Sequence, residues 1–363
     1  MKIAIFHNYL DNMGGAEHVV LTLARELKAD VYTTSLDFEL IKKMGYEDIS
    51  FHTIGKVPIN PPFRQQAALK KFSKLKLGTQ YDFYIIAGDW AVSGLLHNAP
   101  NIWYAHSPIR EIWDLYEYTR ATTVPFHKRI FFDLWVRYNR HLTTHYVKKA
   151  EIVACNSETT QKRIAKYLNR DATVIFPPVD TSQYYFESVG DYWLSVNRLL
   201  PHKRIALQLN AFKKLPDEKL IIVGSYEKAH HFQKYASLIK KSLRPNVELI
   251  SWVEKKALLK LYANCRGFIT TSMEEDFGLT AIEAMASGKP VIAPNEGGYR
   301  QSILNNKTGI LINNISEQKI VDAVNTINKN PSLYKDHAIA QAACFDTSIF
   351  IKKIKDHIRQ KNG

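Results

Sequence analysis

Short unbroken apolar runs recur along the chain, each closed by a glycine, proline or polar cluster and followed by apolar residues three and four apart. The first is Lys2-Ile3-Ala4-Ile5-Phe6-His7. An uninterrupted run of this kind predicts a parallel strand covered on both faces. Val19, Val20, Leu23 and Leu27 then follow at helical spacing. The same pattern predicts strands near 30–34, 49–54, 83–87, 101–105 and 151–155, and again near 192–198, 219–223, 247–253, 267–271, 290–293 and 308–312. Strand–helix alternation of this length predicts an α/β chain with parallel sheets. Pro177-Pro178 ends a run of this kind stiffly and places a domain boundary at about 181–190. The expected domains are therefore 1–182 and 190–347. At 363 residues, two cores are the default.

Within this frame a few turns carry chemistry. Glu275-Asp276-Phe277-Gly278-Leu279-Thr280-Ala281-Ile282-Glu283 joins a strand to a helix through a glycine. Such a turn gathers unpaired N–H groups and a positive dipole end, which suits a phosphate. Carboxylates repel phosphate but accept hydrogen bonds from hydroxyls, so Glu275 and Glu283 there favour a ligand carrying both phosphate and polyol. The plainer reading is that both acids are solvated ends of an ordinary α/β unit. Gly14-Gly15 between the first strand and helix lets backbone approach a ligand, or is only a tight turn, since no G-x-G-x-x-G pattern is present. Arg198 and Lys203, five residues apart at a strand end, can converge on a diphosphate, or are two surface bases. His106, between a strand end and Pro108 with Arg110 close by, lies where open α/β sheets bind ligands, or is a structural histidine, as a lone one more often is.

The net charge is +14, an attraction for nucleotide phosphates, nucleic acid or an anionic membrane. No nucleic-acid module is visible, and no run is long enough to span a bilayer. Met1-Lys2-Ile3-Ala4 enters a strand with no basic-then-apolar leader, so a cytoplasmic protein is expected. Cys155, Cys265 and Cys344 are widely spaced and odd in number, and read as buried small apolar residues. No metal cluster of His or Cys and no Asp-x-Asp pair is present. Leu69, Phe72 and Leu75 form a stripe beside Arg64, Lys70, Lys71 and Lys74. That segment is either a helix lying on an anionic membrane or a solvated helix packed on its own domain. Phe131, Trp135 and Tyr138, among basic residues, read as core rather than as a membrane belt.

The Glu275–Glu283 stretch, with its continuation Ala284-Met285-Ala286-Ser287-Gly288-Lys289-Pro290-Val291-Ile292-Ala293, resembles the E-x7-E region of retaining nucleotide-sugar glycosyltransferases, in particular glycosyltransferase family 4. Gly14-Gly15, Arg198/Lys203 (Arg-x4-Lys) and Gly297-Gly298 match further family motifs in the family's order. Tyr104-Ala105-His106-Ser107-Pro108-Ile109-Arg110, with Trp113 and Asp114, is similar to a subset that includes polysaccharide mannosyltransferases. The resemblance implies the GT-B fold: two Rossmann-like domains facing a cleft, with a last helix at about 348–361 packing back on the first domain. It implies metal-free transfer of a hexose to a glycan or lipid-linked glycan, with GDP-mannose preferred to a UDP-hexose and no nucleic acid involved. By resemblance Glu283 would bind ribose, Glu275 the hexose, and Arg198 and Lys203 the diphosphate, helped by Phe277, Gly278, Leu279 and Thr280. Val253 would approach the base, Gly14 and Gly15 the distal phosphate, and His106 the reaction centre. Arg110, with Arg64, Lys70, Lys71 and Lys74, would stand on the acceptor or membrane side. Gln301 stands where the family often has an acid. A sugar-nucleotide epimerase and a non-catalytic basic binding protein are the competing readings.

Overall fold

The computed structural model describes residues 1–12, 14–225, 230–251 and 253–362, so Trp252 in the expected strand 247–253 and Met13 in the first turn lie outside the described residues. The chain divides into two compact units, one formed by Met1–Phe176 with Ile351–Gly363, the other by Pro177–Phe350. The passage between them lies earlier than the 181–190 expected from the prolines. Residues just after Phe176 are sewn into the second unit: Val179 N donates to Phe345 O at 3.0 Å, and Thr181 Oγ1 to Asp346 at 2.6 Å.

The first unit is built on β1 (Ile3–Phe6), β2 (Asp30–Thr33), β3 (Phe51–Thr53), β4 (Phe83–Ile86), β5 (Asn101–Ala105), β6 (Ile152–Cys155) and β7 (Thr173–Val174). They are ordered 3-2-1-4-5-6-7, every pair parallel. The second unit has β8 (Tyr192–Arg198), β9 (Lys219–Ser225), β10 (Val247–Ile250), β11 (Gly267–Ile269), β12 (Val291–Pro294) and β13 (Gly309–Ile312), ordered 10-9-8-11-12-13. Its pairs too are parallel. Both are doubly wound Rossmann-like sheets, as the alternation predicted. Each has a point where the strand order reverses, between β1 and β4 and between β8 and β11. Outside the carboxyl ends of strands at such points a crevice opens.

The helices needed below are α1 (Gly15–Leu27), α2 (Phe63–Phe72), α3 (Arg129–Val147), α4 (Leu279–Ala286) and α5 (Thr347–Asn362). In the first unit the fully buried Phe6 ring packs against Tyr32 and Phe72 at 5.8 Å and Tyr84 at 5.7 Å. Phe72 comes from α2, whose Leu69 is also in the core, with Leu75 packed against it. The stripe proposed for a membrane therefore faces inward, while Lys70 and Lys74 stay in solvent. Arg64 is likewise tied down: it forks onto Asp11 at 2.6 and 2.7 Å and stacks over Tyr9.

The reverse holds on α3. Trp135 is partly buried against the core, but Phe131 and Tyr138 are exposed, so reading them as core is corrected. They fall on the arc opposite Val136, Asn139, Thr143 and Val147, the helix's buried positions. Cys155 and Cys265 are buried as expected, but Cys344 is exposed because it caps a surface helix.

Phe6→Ala should cost the first unit about 3–5 kcal/mol, the range for a phenylalanine removed from a close-packed core. Urea unfolding followed in each unit separately should show the loss in the first unit alone.

Candidate functional site

In the second unit, Arg198 is the last residue of β8, and Pro201–Lys203 is a short 3-10 turn just beyond it. Arg204 then takes a left-handed conformation, φ 51°. For a residue with a Cβ that conformation is costly and persists only where surroundings enforce it. Here its guanidinium donates to Thr271 O at 2.6 Å, Ser272 O at 3.1 Å and the Glu296 carboxylate at 3.0 and 3.3 Å. Met273 N donates to His202 O at 2.8 Å, and Thr271 Oγ1 to Lys203 O at 2.7 Å. The loops after β8 and β11, on either side of the switch point, are thus sewn together, and Glu296 brings in the loop after β12.

This seam sets the expected residues in place. Lys203 Nζ forms an ion pair with Glu275 Oε2. Burial alone would raise the Glu275 pKa, but the Lys203 ammonium and its bond, with Ser272 and His202 nearby, outweigh it and hold the carboxyl well below its usual range. Gly278, the residue before α4, has φ 91°, and a methyl there would strike the Tyr299 ring. Leu279 and Thr280 open α4, where N–H groups have no intrahelical acceptor. The Phe277 side chain is buried edge-on to Phe345 at 5.3 Å, so only its backbone is available to a ligand.

Glu283 sits on α4 and accepts a bond from the buried Tyr262 hydroxyl at 2.7 Å and another from Tyr184. Burial raises its pKa against those two hydroxyls and Lys255. Val253 lies beyond the end of β10, two residues before the helix Lys255–Asn264 that carries Tyr262. Gly297 and Gly298 have a structural reason of their own. Gly297 has φ 55°, a methyl on it would meet the Glu275 carbonyl, and one on Gly298 would meet Asp276 and Phe277. Gly298 N also donates to Glu275 O at 2.7 Å. The pair is the cradle on which the Glu275 loop rests.

In the first unit the site-bearing residues follow β1 and β5. Gly14 precedes α1 in extended backbone, and a methyl on it would collide with the Glu17 carboxylate. Glu17 lies 3.4 Å from the buried His7 Nε2. His106 Nε2 and His7 Nδ1 are both closed off from solvent with no hydrogen-bond partner. Burial, with nearby His7, pushes the His106 pKa down to about 3 against the pull of Glu17. The His106 imidazole is therefore neutral at ordinary pH. Arg110 is paired with Asp114 at 2.9 Å, and Arg163 lies 3.4 Å from the same carboxylate.

His7 and Glu17 were not among the residues picked from sequence, nor were Arg204 and Glu296. His7 ends an apolar run and reads as part of the strand. The signal that was available is the polar tail Thr270-Thr271-Ser272, all buried and all at a strand end.

Residues 13–183 match the family model Glycosyltransferase Family 4, and residues 186–343 the model Glycosyl transferases group 1. The chain thus consists almost wholly of two glycosyltransferase domains. It is 24% identical over 388 residues to the alpha-1,3/1,6-mannosyltransferase ALG2 of Dictyostelium discoideum, spanning 91% of this chain and 89% of that one. It is 28% identical over 200 residues to the O-antigen chain mannosyltransferase RfbU of Salmonella typhimurium, 53% of this chain and 56% of that one. Among solved structures it is similar to HepE of Anabaena in complex with UDP and glucose, at a TM-score of 0.79 and 18% identity, covering 99% of this chain and 100% of that one. The fold is GT-B.

Two outcomes follow from this geometry. Gly297→Ala should destabilise the second unit by at least about 1–3 kcal/mol, since left-handed backbone and a blocked Cβ coincide, and thermal unfolding would measure it. For His106 the folded pKa is below the unfolded one, near 6.5, so as pH falls below about 6.5 only the unfolded chain gains the proton. First-unit stability should therefore decline on acidification with a slope approaching about 1.4 kcal/mol per pH unit from this group, and His106→Gln should flatten that slope.

Proposed function

We propose that the chain is a retaining glycosyltransferase that moves a hexose from a nucleotide sugar to a glycan or lipid-linked glycan, without a metal ion. The observation that carries this reading is the Lys203–Glu275 ion pair, held at the switch point of the second sheet by the Arg204 seam. A cation for a diphosphate and an ionised carboxylate for hydroxyls stand side by side, and a nucleotide sugar needs that combination.

In this reading Arg198, Lys203 and the Leu279 and Thr280 amides hold the diphosphate, and Glu275 accepts bonds from the hexose hydroxyls. Glu283, steadied by Tyr262 and Tyr184, keeps lone pairs for the ribose hydroxyls. As the glycosyl bond breaks, negative charge gathers on the departing diphosphate. Cations fixed beforehand stabilise that charge without reorganising, which lowers the barrier. Pairing with Glu275 keeps Lys203 oriented before the donor arrives, and the diphosphate then shares it. Neutral His106 offers a hydrogen bond to the sugar. The acceptor hydroxyl attacks from the face the diphosphate leaves, so the anomeric configuration is kept.

Likeness to ALG2 and RfbU favours a mannosyl donor, GDP-mannose first, with a UDP-hexose second on the likeness to HepE. Glu275→Ala should lower turnover by at least about a hundredfold, the size of a lost transition-state contact. Binding of the nucleoside diphosphate by calorimetry should change only a few-fold. Titrating GDP against UDP in the same experiment ranks the donors. Unchanged nucleotide release by Glu275→Ala, measured over free and lipid-linked glycan acceptors, overturns the reading.

A further inference from the structure

The outward face of α3 gathers exposed aromatic and aliphatic side chains. Phe126, just before the helix, and Ile130, Phe131, Leu134 and Tyr138 on it are between 58% and 83% exposed. At 100° per residue the four helical positions fall within one arc of about 100°. The same arc continues through Arg137, His141, His145 and Lys148, and all four are exposed. Lys128 and Lys149 are exposed at either end of it. Of the nearby acids, Asp133 is turned away into bonds with Arg120 and Tyr116, and Glu117 lies on the neighbouring helix Tyr116–Thr122. The face thus has an apolar half and a cationic half whose charges are Arg137 and Lys148; exposed Glu151 lies beyond its end, paired with Lys361 at 3.1 Å.

We infer that this face of α3 docks on a lipid bilayer that displays anionic headgroups, the apolar half entering the interface and the cationic half meeting the phosphates. Contiguous exposed aromatic and aliphatic side chains of this kind mark an interaction surface. Charge selects the partner. A second copy of the chain, paired about a two-fold axis, could match the apolar half with itself but would leave the cationic half unpartnered. An anionic bilayer complements both halves at once. No helix among the described residues is long and apolar enough to cross a membrane, so the helix lies on the surface instead of spanning it. The basic segment on α2 has its apolar stripe in the core and offers no comparable face. This inference goes beyond the transfer reaction and does not rest on it, because binding is measured with no sugar present.

The test is flotation of the full chain with phosphatidylcholine vesicles, with and without about one third phosphatidylglycerol. Anionic vesicles should carry the protein, neutral ones should carry far less, and salt should weaken the binding. Phe131→Ser with Leu134→Ser should weaken binding by at least about tenfold, as should Arg137→Glu with Lys148→Glu. Lys213→Glu with Lys214→Glu, an equal charge change on the second unit, should stay within about twofold of the parent. All six positions are exposed, and unchanged thermal unfolding of each variant shows that the fold is intact. Three outcomes overturn the proposal. The protein does not float with anionic vesicles; or the serine variant binds as well as the parent, which leaves only adsorption by net charge; or sedimentation without lipid reveals a dimer that the serine variant dissolves, which makes the face a contact between copies.

Discussion

The geometry of the second unit depends on one side chain held in a backbone conformation it would not choose. Arg204 is left-handed, and its guanidinium spends its donors on two carbonyls of one loop and a carboxylate of another. Strands of a parallel sheet are fixed by their ladders, but the loops at their ends are not, and short loops there have no reason to agree with one another. A rigid planar fork reaching three partners supplies that agreement. The position of Lys203 follows from it, because Lys203 is the preceding residue and its carbonyl accepts from Thr271. Glu275 is placed through the same Thr271–Glu274 stretch and rests on Gly297 and Gly298.

The two units use one architecture for opposite chemistry. In the second, charges are concentrated and matched: a lysine and a carboxylate in contact, a fork on a glutamate, a second glutamate gripped by tyrosines. In the first, the corresponding strand ends present imidazoles, with a neutral His106 beside buried His7. Low-dielectric surroundings strengthen the pairing in the one case and suppress protonation in the other. Burial is common to both, and a partner of opposite charge makes the difference.

Most of the fold was legible because it follows local rules. Unbroken apolar runs became parallel strands, and Gly278 is where a left-handed residue before a helix was needed. The residues that escaped are those defined by distant neighbours. Arg204 meets Thr271 and Glu296 across 67 and 92 residues, and nothing in its local spacing marks it. His7 was absorbed into an apolar run, because strand patterning does not distinguish a buried polar ring at a strand end from an apolar core one. Phe131 was read inward and faces out, while Leu69 was left between an outward and an inward reading and faces in. Each lies in a segment mixing aromatic and basic residues, and which side of such a helix meets the sheet depends on its angle of approach. Phe72 found the Phe6 ring, while α3 turned Trp135 and Val136 inward and left Phe131 outside.

The last helix bears on how the molecule is made. Its first turn belongs to the second unit, and from Ile351 onward it belongs to the first, where Ile351, Ile354 and Ile358 are buried. The first unit's seat for these isoleucines therefore leaves the ribosome before they do, with the whole second unit made in between. Through the synthesis of the entire intervening unit, that seat waits uncovered and is open to chaperones or to mispairing. Of the two lobes, the one begun before the other is thus finished after it.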